Sequence, residues 1–123
     1  MDLDEHLRYE NDSLGRYPRT ADGTVEWGSV SHELVIGSSA SGTIDLSSTI
    51  ENCAPNADSI VFMWGSLAVP SVKMDPAAVS SHAADILESM PEFWAYSPAD
   101  RVLLEHTFSG LVTTAHVPTG RTA

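Results

Sequence analysis

The chain has 123 residues and a formal net charge of −11, because 17 Asp and Glu residues stand against 6 Lys and Arg. One hydrophobic core is the natural arrangement at this length, and 42% hydrophobic residues can fill it, which argues against wholesale disorder. The acidity argues against nucleic acid as a partner, since phosphate binding needs Lys and Arg. No apolar stretch approaches the roughly 20 residues of a membrane span, and the start shows no secretory pattern, so we expect no membrane association and a cytoplasmic location.

The N-terminal residues 1–12 are predicted to form a short acidic helix. Leu3 and Leu7 lie four positions apart among acidic side chains, as they would on one face of a helix. A loop rich in turn residues follows.

Residues 24–70 are predicted to be rich in β-structure. The apolar runs over 24–36 predict one bent strand or two short ones, and the small residues GSSASG at 37–42 predict a turn. Alternation of Ile44 and Leu46 with polar residues in TIDLSSTI predicts a half-exposed strand. The run SIVFMW is apolar on both faces, which predicts a central strand covered on each side.

A long helix is predicted at about 76–90. Asp75 occupies the N-cap position, where its carboxylate can accept a hydrogen bond from an unpaired amide, and Pro76 suits the first helical position. Pro91 ends the helix. The apolar residues at helical spacing form one stripe that should face the core: Val79, Ala83, Ile86, Leu87 and Met90.

The segment 93–117 is predicted to be a β-meander of three antiparallel strands. Its turns are expected at SPAD, with Pro98 in the second position, and at Ser109-Gly110, where glycine supplies a positive φ. The turns predict two cross-strand pairs: Tyr96 with Arg101, and Phe108 with Leu111.

Alternation along these strands divides their residues between two faces. The first face is nearly all apolar and should pack on the helix: Phe93, Ala95, Val102, Leu104, His106, Phe108, Leu111, Thr113, Ala115 and Val117. The second, which we call the mixed face, carries aromatic, charged and polar groups: Trp94, Tyr96, Arg101, Leu103, Glu105, Thr107, Val112, Thr114 and His116. The mixed face is expected to be either half-exposed or a binding surface, unless the N-terminal strands cover it and bury Trp94.

The predicted fold class is therefore α+β. A single domain, 1–123, would hold an antiparallel or mixed sheet of six or seven strands, one long helix on one face and the C-terminal meander. The rival architecture divides the strands between two packed sheets.

Candidate catalytic groups are few. His82 and Asp85 are spaced i, i+3 on the predicted helix, which is typical of an exposed pair. Glu105 and His116 would lie diagonally across the last hairpin, and we interpret them as a surface contact. His106 is expected to be a core histidine opposite a threonine, so no catalytic residue is predicted.

Metal and cofactor sites are not predicted either. The histidines lack metal-ligand spacing, and the carboxylates form no calcium-loop pattern. The single cysteine, Cys53, lacks the surroundings of a nucleophile and is interpreted as a buried or half-buried thiol. The GSSASG segment has neither the glycine order nor the following Lys of a phosphate loop.

A helix followed by FWAYSPADRVLLEHTFSG and a last short strand resembles the C-terminal part of small acidic immunity proteins of bacterial polymorphic and contact-dependent toxin systems. Trp94, Tyr96, Ser97 and Pro98 carry the resemblance, within residues 76–117. It implies a protein that is not an enzyme and that blocks a cognate toxin domain by direct binding. A basic toxin, such as a nuclease with a cationic cleft, would account for the acidity.

The sequence thus predicts a non-catalytic binding protein of immunity or antitoxin type, with no cofactor and with a basic toxin domain as partner. Its predicted contact residues lie on the mixed face: Trp94, Tyr96, Arg101, Glu105 and His116. One alternative is a small-ligand binder or small enzyme with a pocket on that face. Another is an acidic structural or regulatory subunit whose charge reflects a salt-rich or high-GC host.

Overall fold

A computed structural model describes residues 3–21, 24–31, 33–40, 46–64, 71–89, 92–107 and 110–117. The fold is α+β, as predicted, and these residues form six strands in one open antiparallel sheet of order β1-β6-β5-β4-β2-β3. The strands are β1 Val35–Ala40, β2 Ile60–Met63, β3 Val72–Met74, β4 Phe93–Ser97, β5 Val102–His106 and β6 Leu111–His116. The helices are α1 Leu3–Asp12, α2 Leu46–Cys53 and α3 Pro76–Ser89, with 3-10 turns at Leu14–Arg16 and Trp27–Ser29.

Each face of the sheet packs against a different part of the chain. Residues 3–21 and 24–31, which we call the N-terminal layer, cover one face, and α2 and α3, which we call the helical layer, cover the other. The first core cluster is Leu14, Tyr17, Val25, Val30, Val61, Met63, Trp94, Tyr96, Leu103, Ala115 and Val117. The second is Ile50, Ala54, Ile60, Phe62, Val79, Ile86, Phe93, Ala95, Leu104 and Val112. The chain therefore buries both faces of the sheet, and the two cores are separated by it.

Strand β2 behaves as its composition predicts. All four of its residues are buried, and they alternate between the two cores. It also pairs on both sides, with β3 and with β4. A strand that is interior to the sheet and covered on each face has no polar position to fill, which explains the continuous apolar run.

Helix α3 confirms the predicted long helix. Its Asp75 cap is formed, because the backbone N–H of Ala78 donates to Asp75 Oδ1 at 2.7 Å. The stripe residues Val79 and Ile86 are buried against the sheet. Met90 and Pro91, where the predicted helix ends, lie outside the described residues.

Removing the cap should loosen the start of α3. We expect Asp75→Ala to lower the free energy of unfolding by about 1 kcal/mol, because the amide of Ala78 loses its acceptor. Urea denaturation followed by circular dichroism measures this change. Asp75→Asn keeps an acceptor oxygen and is the matched control, so equal losses in the two variants would contradict the capping role.

The C-terminal meander is present, but both of its registers differ from prediction. Ser97 pairs with Val102, so the strands slip by two residues relative to the predicted pairing of Tyr96 with Arg101. The turn lies where it was expected, since Ser97 Oγ donates to Asp100 Oδ2 at 2.9 Å, but the loop extends to Arg101, which adopts φ 52° next to the first residue of β5. A slip of two leaves the faces of β4 and β5 as predicted.

The second hairpin slips by one residue, which has a larger consequence. The N–H of Thr107 donates to the carbonyl of Leu111 at 3.0 Å, so the loop has three residues where a two-residue turn was predicted. Gly110 has the expected positive φ of 85°, whereas Phe108 and Ser109 lie outside the described residues. Every side chain of β6 therefore points to the face opposite the predicted one.

The prediction for 24–50 is wrong in three places. The region 24–36 contains a 3-10 turn and an isolated bridge between Val25 and Arg19 in place of a predicted strand, and only its end enters β1. The GSSASG segment is largely strand, since β1 continues to Ala40; its last two residues are not described. Helix α2 begins within TIDLSSTI, because a short alternation of apolar and polar residues also fits part of a helical turn.

Candidate functional site

The mixed face of the meander is an interior surface in this structure. Trp94, Tyr96 and Glu105 are 2%, 0% and 1% exposed, and the N-terminal layer lies over them. The prediction of an exposed contact surface at these three residues is therefore wrong. The alternative in which N-terminal residues bury Trp94 is the one the structure adopts, although a 3-10 turn and irregular segments cover it instead of strands.

Glu105 is the centre of a buried polar cluster on this face. Its Oε2 accepts hydrogen bonds from the Trp94 indole at 2.8 Å and from the backbone N–H of Val25 at 2.7 Å. Its Oε1 accepts from the Trp27 indole at 2.8 Å. Both carboxylate oxygens are thus engaged by donors of fixed geometry, and the side chain joins the N-terminal layer to the sheet. This arrangement suits a structural carboxylate, since a buried charge needs such partners.

Tyr96 and Arg101 belong to a second polar cluster, at the end of α1. The Tyr96 hydroxyl donates to Asp12 Oδ2 at 3.2 Å, and Arg101 Nη1 lies 3.6 Å from the same oxygen. Arg16 Nη2 donates to Asp12 Oδ1 at 3.3 Å. Burial, and then the neighbouring Asp12 charge, raise the pKa of Tyr96 to about 12. Tyr96 is a neutral hydrogen-bond donor here, and Arg101, with 39% of its side chain exposed, is partly neutralised by Asp12.

His116 is separated from the other predicted contact residues by the slip in the second hairpin. Glu105 pairs with Thr113, so the predicted diagonal contact between Glu105 and His116 is wrong. His116 is exposed, and it pairs with Val102. Its backbone carbonyl joins β6 to the N-terminal layer, because it accepts a hydrogen bond from the Tyr17 hydroxyl at 2.8 Å.

The other histidines considered in the sequence take ordinary structural positions. His106 is buried, as expected of a core histidine, but it faces Val112 where a threonine was predicted, and its ring stacks on Phe93 with centroids 5.0 Å apart. His82 Nδ1 lies 3.9 Å from Asp85 Oδ2, and both side chains are well exposed. The interpretation of His82 and Asp85 as an exposed pair is confirmed.

Sequence reasoning did not find one constellation, formed by Ser71, His6 and Glu10. The Ser71 hydroxyl is hydrogen-bonded to His6 Nδ1, and His6 Nε2 lies 3.5 Å from Glu10 Oε1. These are the residue types of a serine nucleophile with its base, but Ser71 and His6 are 3% and 5% exposed. A buried hydroxyl has no access to substrate, so the contact joins α1 to the start of β3. A separation of 65 residues gives no sequence signal.

Cys53 is half-buried on the inner side of α2, as the sequence around it predicted. Its thiol lies 3.7 Å from the carbonyl of Ile50, and burial raises its pKa to about 11. The thiol is therefore protonated at neutral pH and is a poor nucleophile.

Charge is divided unequally between the two layers. The basic residues Arg8, Arg16 and Arg19 lie within the N-terminal layer. Two others point toward it, since Lys73 lies 3.8 Å from Glu5 and Arg101 is paired with Asp12. The sixth basic residue of the sequence, Arg121, lies outside the described residues.

The helical layer and its connections are acidic by contrast. Residues 46–64 and 74–89 contain no Lys or Arg. Among the side chains that the structure describes in these ranges, the exposed acids are Glu51, Asp58, Asp75 and Asp85. In the described part of the chain, one face therefore mixes Lys and Arg with acids, whereas the other exposes acids and His82 but no Lys or Arg.

The comparisons with known proteins add no further identification. Neither the protein-family models nor the curated proteins include a match to this chain.

None of the helices in the described ranges has the length and apolar character needed to cross a membrane. Within those same ranges, no group of three or more His, Cys, Asp or Glu side chains could hold a metal ion.

Proposed function

We propose that this chain is a non-catalytic binding protein of the immunity or antitoxin type, which neutralises a basic toxin domain by direct contact. The separation of charge between its layers carries this proposal. The helical layer exposes acids without any Lys or Arg, whereas the described basic residues lie in or against the N-terminal layer. Such a face attracts a cationic surface over distances comparable to the Debye length.

The helical layer replaces the mixed face as the proposed contact surface. Glu51 on α2, Asp58 in the following loop and Asp85 on α3 are exposed, with 80% of the Asp85 side chain accessible. The resemblance of residues 76–117 to immunity proteins includes α3 and so extends to this layer. Two residues outside this layer stay predicted contacts: Arg101, which is half-buried beside Asp12, and His116, which is exposed.

The buried polar groups support a role without catalysis. The oxygens of Glu105 are taken up by two indoles and a backbone amide, and the Cys53 thiol is protonated. The Ser71 hydroxyl is enclosed with His6. Each of these potentially reactive groups has a structural partner, which leaves recognition as the function that the exposed groups support best.

Association with the partner should depend strongly on charge. The partner is first captured with the tagged protein from its own organism and identified, and binding kinetics are then measured with the purified pair. We expect k_on to fall roughly tenfold or more as salt rises from about 0.05 to 0.5 M, with a smaller change in k_off. Neutralising the helical layer by Glu51→Gln, Asp58→Asn and Asp85→Asn should lower k_on by about fivefold or more at low salt.

A triple variant on the other side of the molecule is the matched control. Asp4→Asn, Glu26→Gln and Glu33→Gln remove the same amount of charge from exposed positions outside the helical layer. We expect this control to change k_on by less than about twofold. Equal effects of the two triple variants would contradict the proposed surface, and the absence of any basic partner would favour the structural-subunit alternative.

A further inference from the structure

The two edges of the sheet differ in how well they are protected. Strand β3 has three residues, and α1 lies beside it, since Lys73 contacts Glu5 and Tyr9 and Ser71 is bonded to His6. Strand β1 has six residues and pairs with β6 on one side, while no strand in the described part of the chain pairs with its other side. An open edge presents unpaired N–H and C=O groups that can pair with another strand.

Strand β1 lacks the residues that usually prevent such pairing. Its sequence, VIGSSA, contains no charge and no proline. Ile36 is 44% exposed, and Leu111, on the neighbouring β6, is 42% exposed. A bulge between Val35 and Gly37 interrupts the register with β6, but the pairing from Gly37 to Ala40 is regular. This regular stretch is long enough to serve as a template for an added strand.

We propose that β1 is a dimerisation edge, at which a second copy of this chain adds its own β1 in antiparallel orientation. The neutrality of the strand argues for this occupant. A basic strand would find no carboxylate on β1 to pair with, whereas two copies of this neutral strand meet without repulsion between them; the net charge of −11 comes from residues outside β1 and opposes association only at longer range. Gly37 and Ser38 are small and exposed, so they allow close lateral approach.

The symmetry of this contact is closed. Antiparallel pairing of two identical strands is related by a two-fold axis, so each copy supplies the same residues and no further edge opens. With the two-fold axis at Ser38, the two Ser38 residues face each other, and each Ile36 lies opposite Ala40 of the other copy, where it loses exposed apolar surface. Because this axis is perpendicular to the sheet, both helical layers fall on the same side of the dimer. The proposal does not depend on the proposed function.

The mass of the purified protein in solution tests the proposal, by light scattering and sedimentation over a range of concentrations. We expect the mass to rise from 13.2 kDa toward twice that value with concentration. Ile36→Lys should weaken the dimer at least tenfold, because a charge on the edge strand opposes pairing. Higher salt should strengthen the dimer, because it screens the repulsion between two acidic copies.

Val72→Lys is the matched control, since Val72 is 37% exposed on the opposite edge strand, and it should change the dimer constant by less than twofold. A second pair of variants tests which edge strand lies at the dimer contact, without adding charge to either strand. Ser38→Cys should give a disulfide-linked dimer under oxidising conditions, whereas Val72→Cys should not. A monomer at every concentration, or a dimer that Val72→Lys weakens as much as Ile36→Lys, would overturn the proposal. Strand addition by a different protein would then be the remaining use of the edge.

Discussion

Glu105→Ala is expected to lower the free energy of unfolding by about 4 kcal/mol or more. The substitution leaves the indoles of Trp27 and Trp94 and the amide of Val25 without their common acceptor. Each buried donor that loses its partner costs about 1–3 kcal/mol, and the three donors cannot all find water without opening the N-terminal layer. Urea denaturation followed by tryptophan fluorescence measures the loss, because two of the donors are indoles.

Two variants make this prediction specific. Glu105→Gln keeps the shape and one acceptor oxygen but turns an amide donor toward the remaining N–H groups, so an intermediate loss of about 2 kcal/mol is expected. Glu26→Ala removes an exposed carboxylate next to Val25 and should stay within about 0.5 kcal/mol of wild type. A Glu105→Ala protein within 1 kcal/mol of wild type would show that the cluster contributes little to joining the layers.

Ile86→Ala is expected to cost about 2–5 kcal/mol through the cavity that it leaves beneath α3. Ile86 is 7% exposed and packs in the core between the helical layer and the sheet. Its loss should appear as a lower midpoint in urea with an unchanged slope. Ser81→Ala, at an exposed position of the same helix, is the control and should have almost no effect. If Ile86→Ala melts like wild type, α3 does not face a core in solution.

These two variants together probe both faces of the sheet. Glu105 joins β5 to the N-terminal layer, and Ile86 holds the helical layer on the opposite face. A sheet covered on one side only would tolerate one of the two substitutions. The aromatic residues of the mixed face therefore stabilise the fold, and the proposed contact surface is the helical layer instead.

Some elements could be predicted because their signals are local. Asp75 and Pro76 define the start of α3 through backbone chemistry that involves only the next few residues. The apolar run of β2 follows from burial on both faces, and the places of the two turns of the meander, though not their lengths, follow from residues that favour turn conformations. These features could be read from the sequence because each depends on neighbours along the chain.

Loop length and layer packing could not be read in the same way. The second hairpin has one more loop residue than predicted, and that residue moved His116 to the other face, because side chains alternate along a strand. The small residues of β1 were predicted to form a turn because their side chains have no preference for a strand. They form a strand because their backbone groups pair with β6.

The sequence by itself determined the fold class, α3, β2, the meander and the acidity of the chain. Only the tertiary structure decided that Trp94, Tyr96 and Glu105 are interior, since that depends on which segment lies over them. The hydrogen bonds from Trp27 and Val25 to Glu105 span 78 and 80 residues, and no local pattern records such a contact. The division of charge between the layers has the same origin, because a face is defined by packing and not by order along the chain.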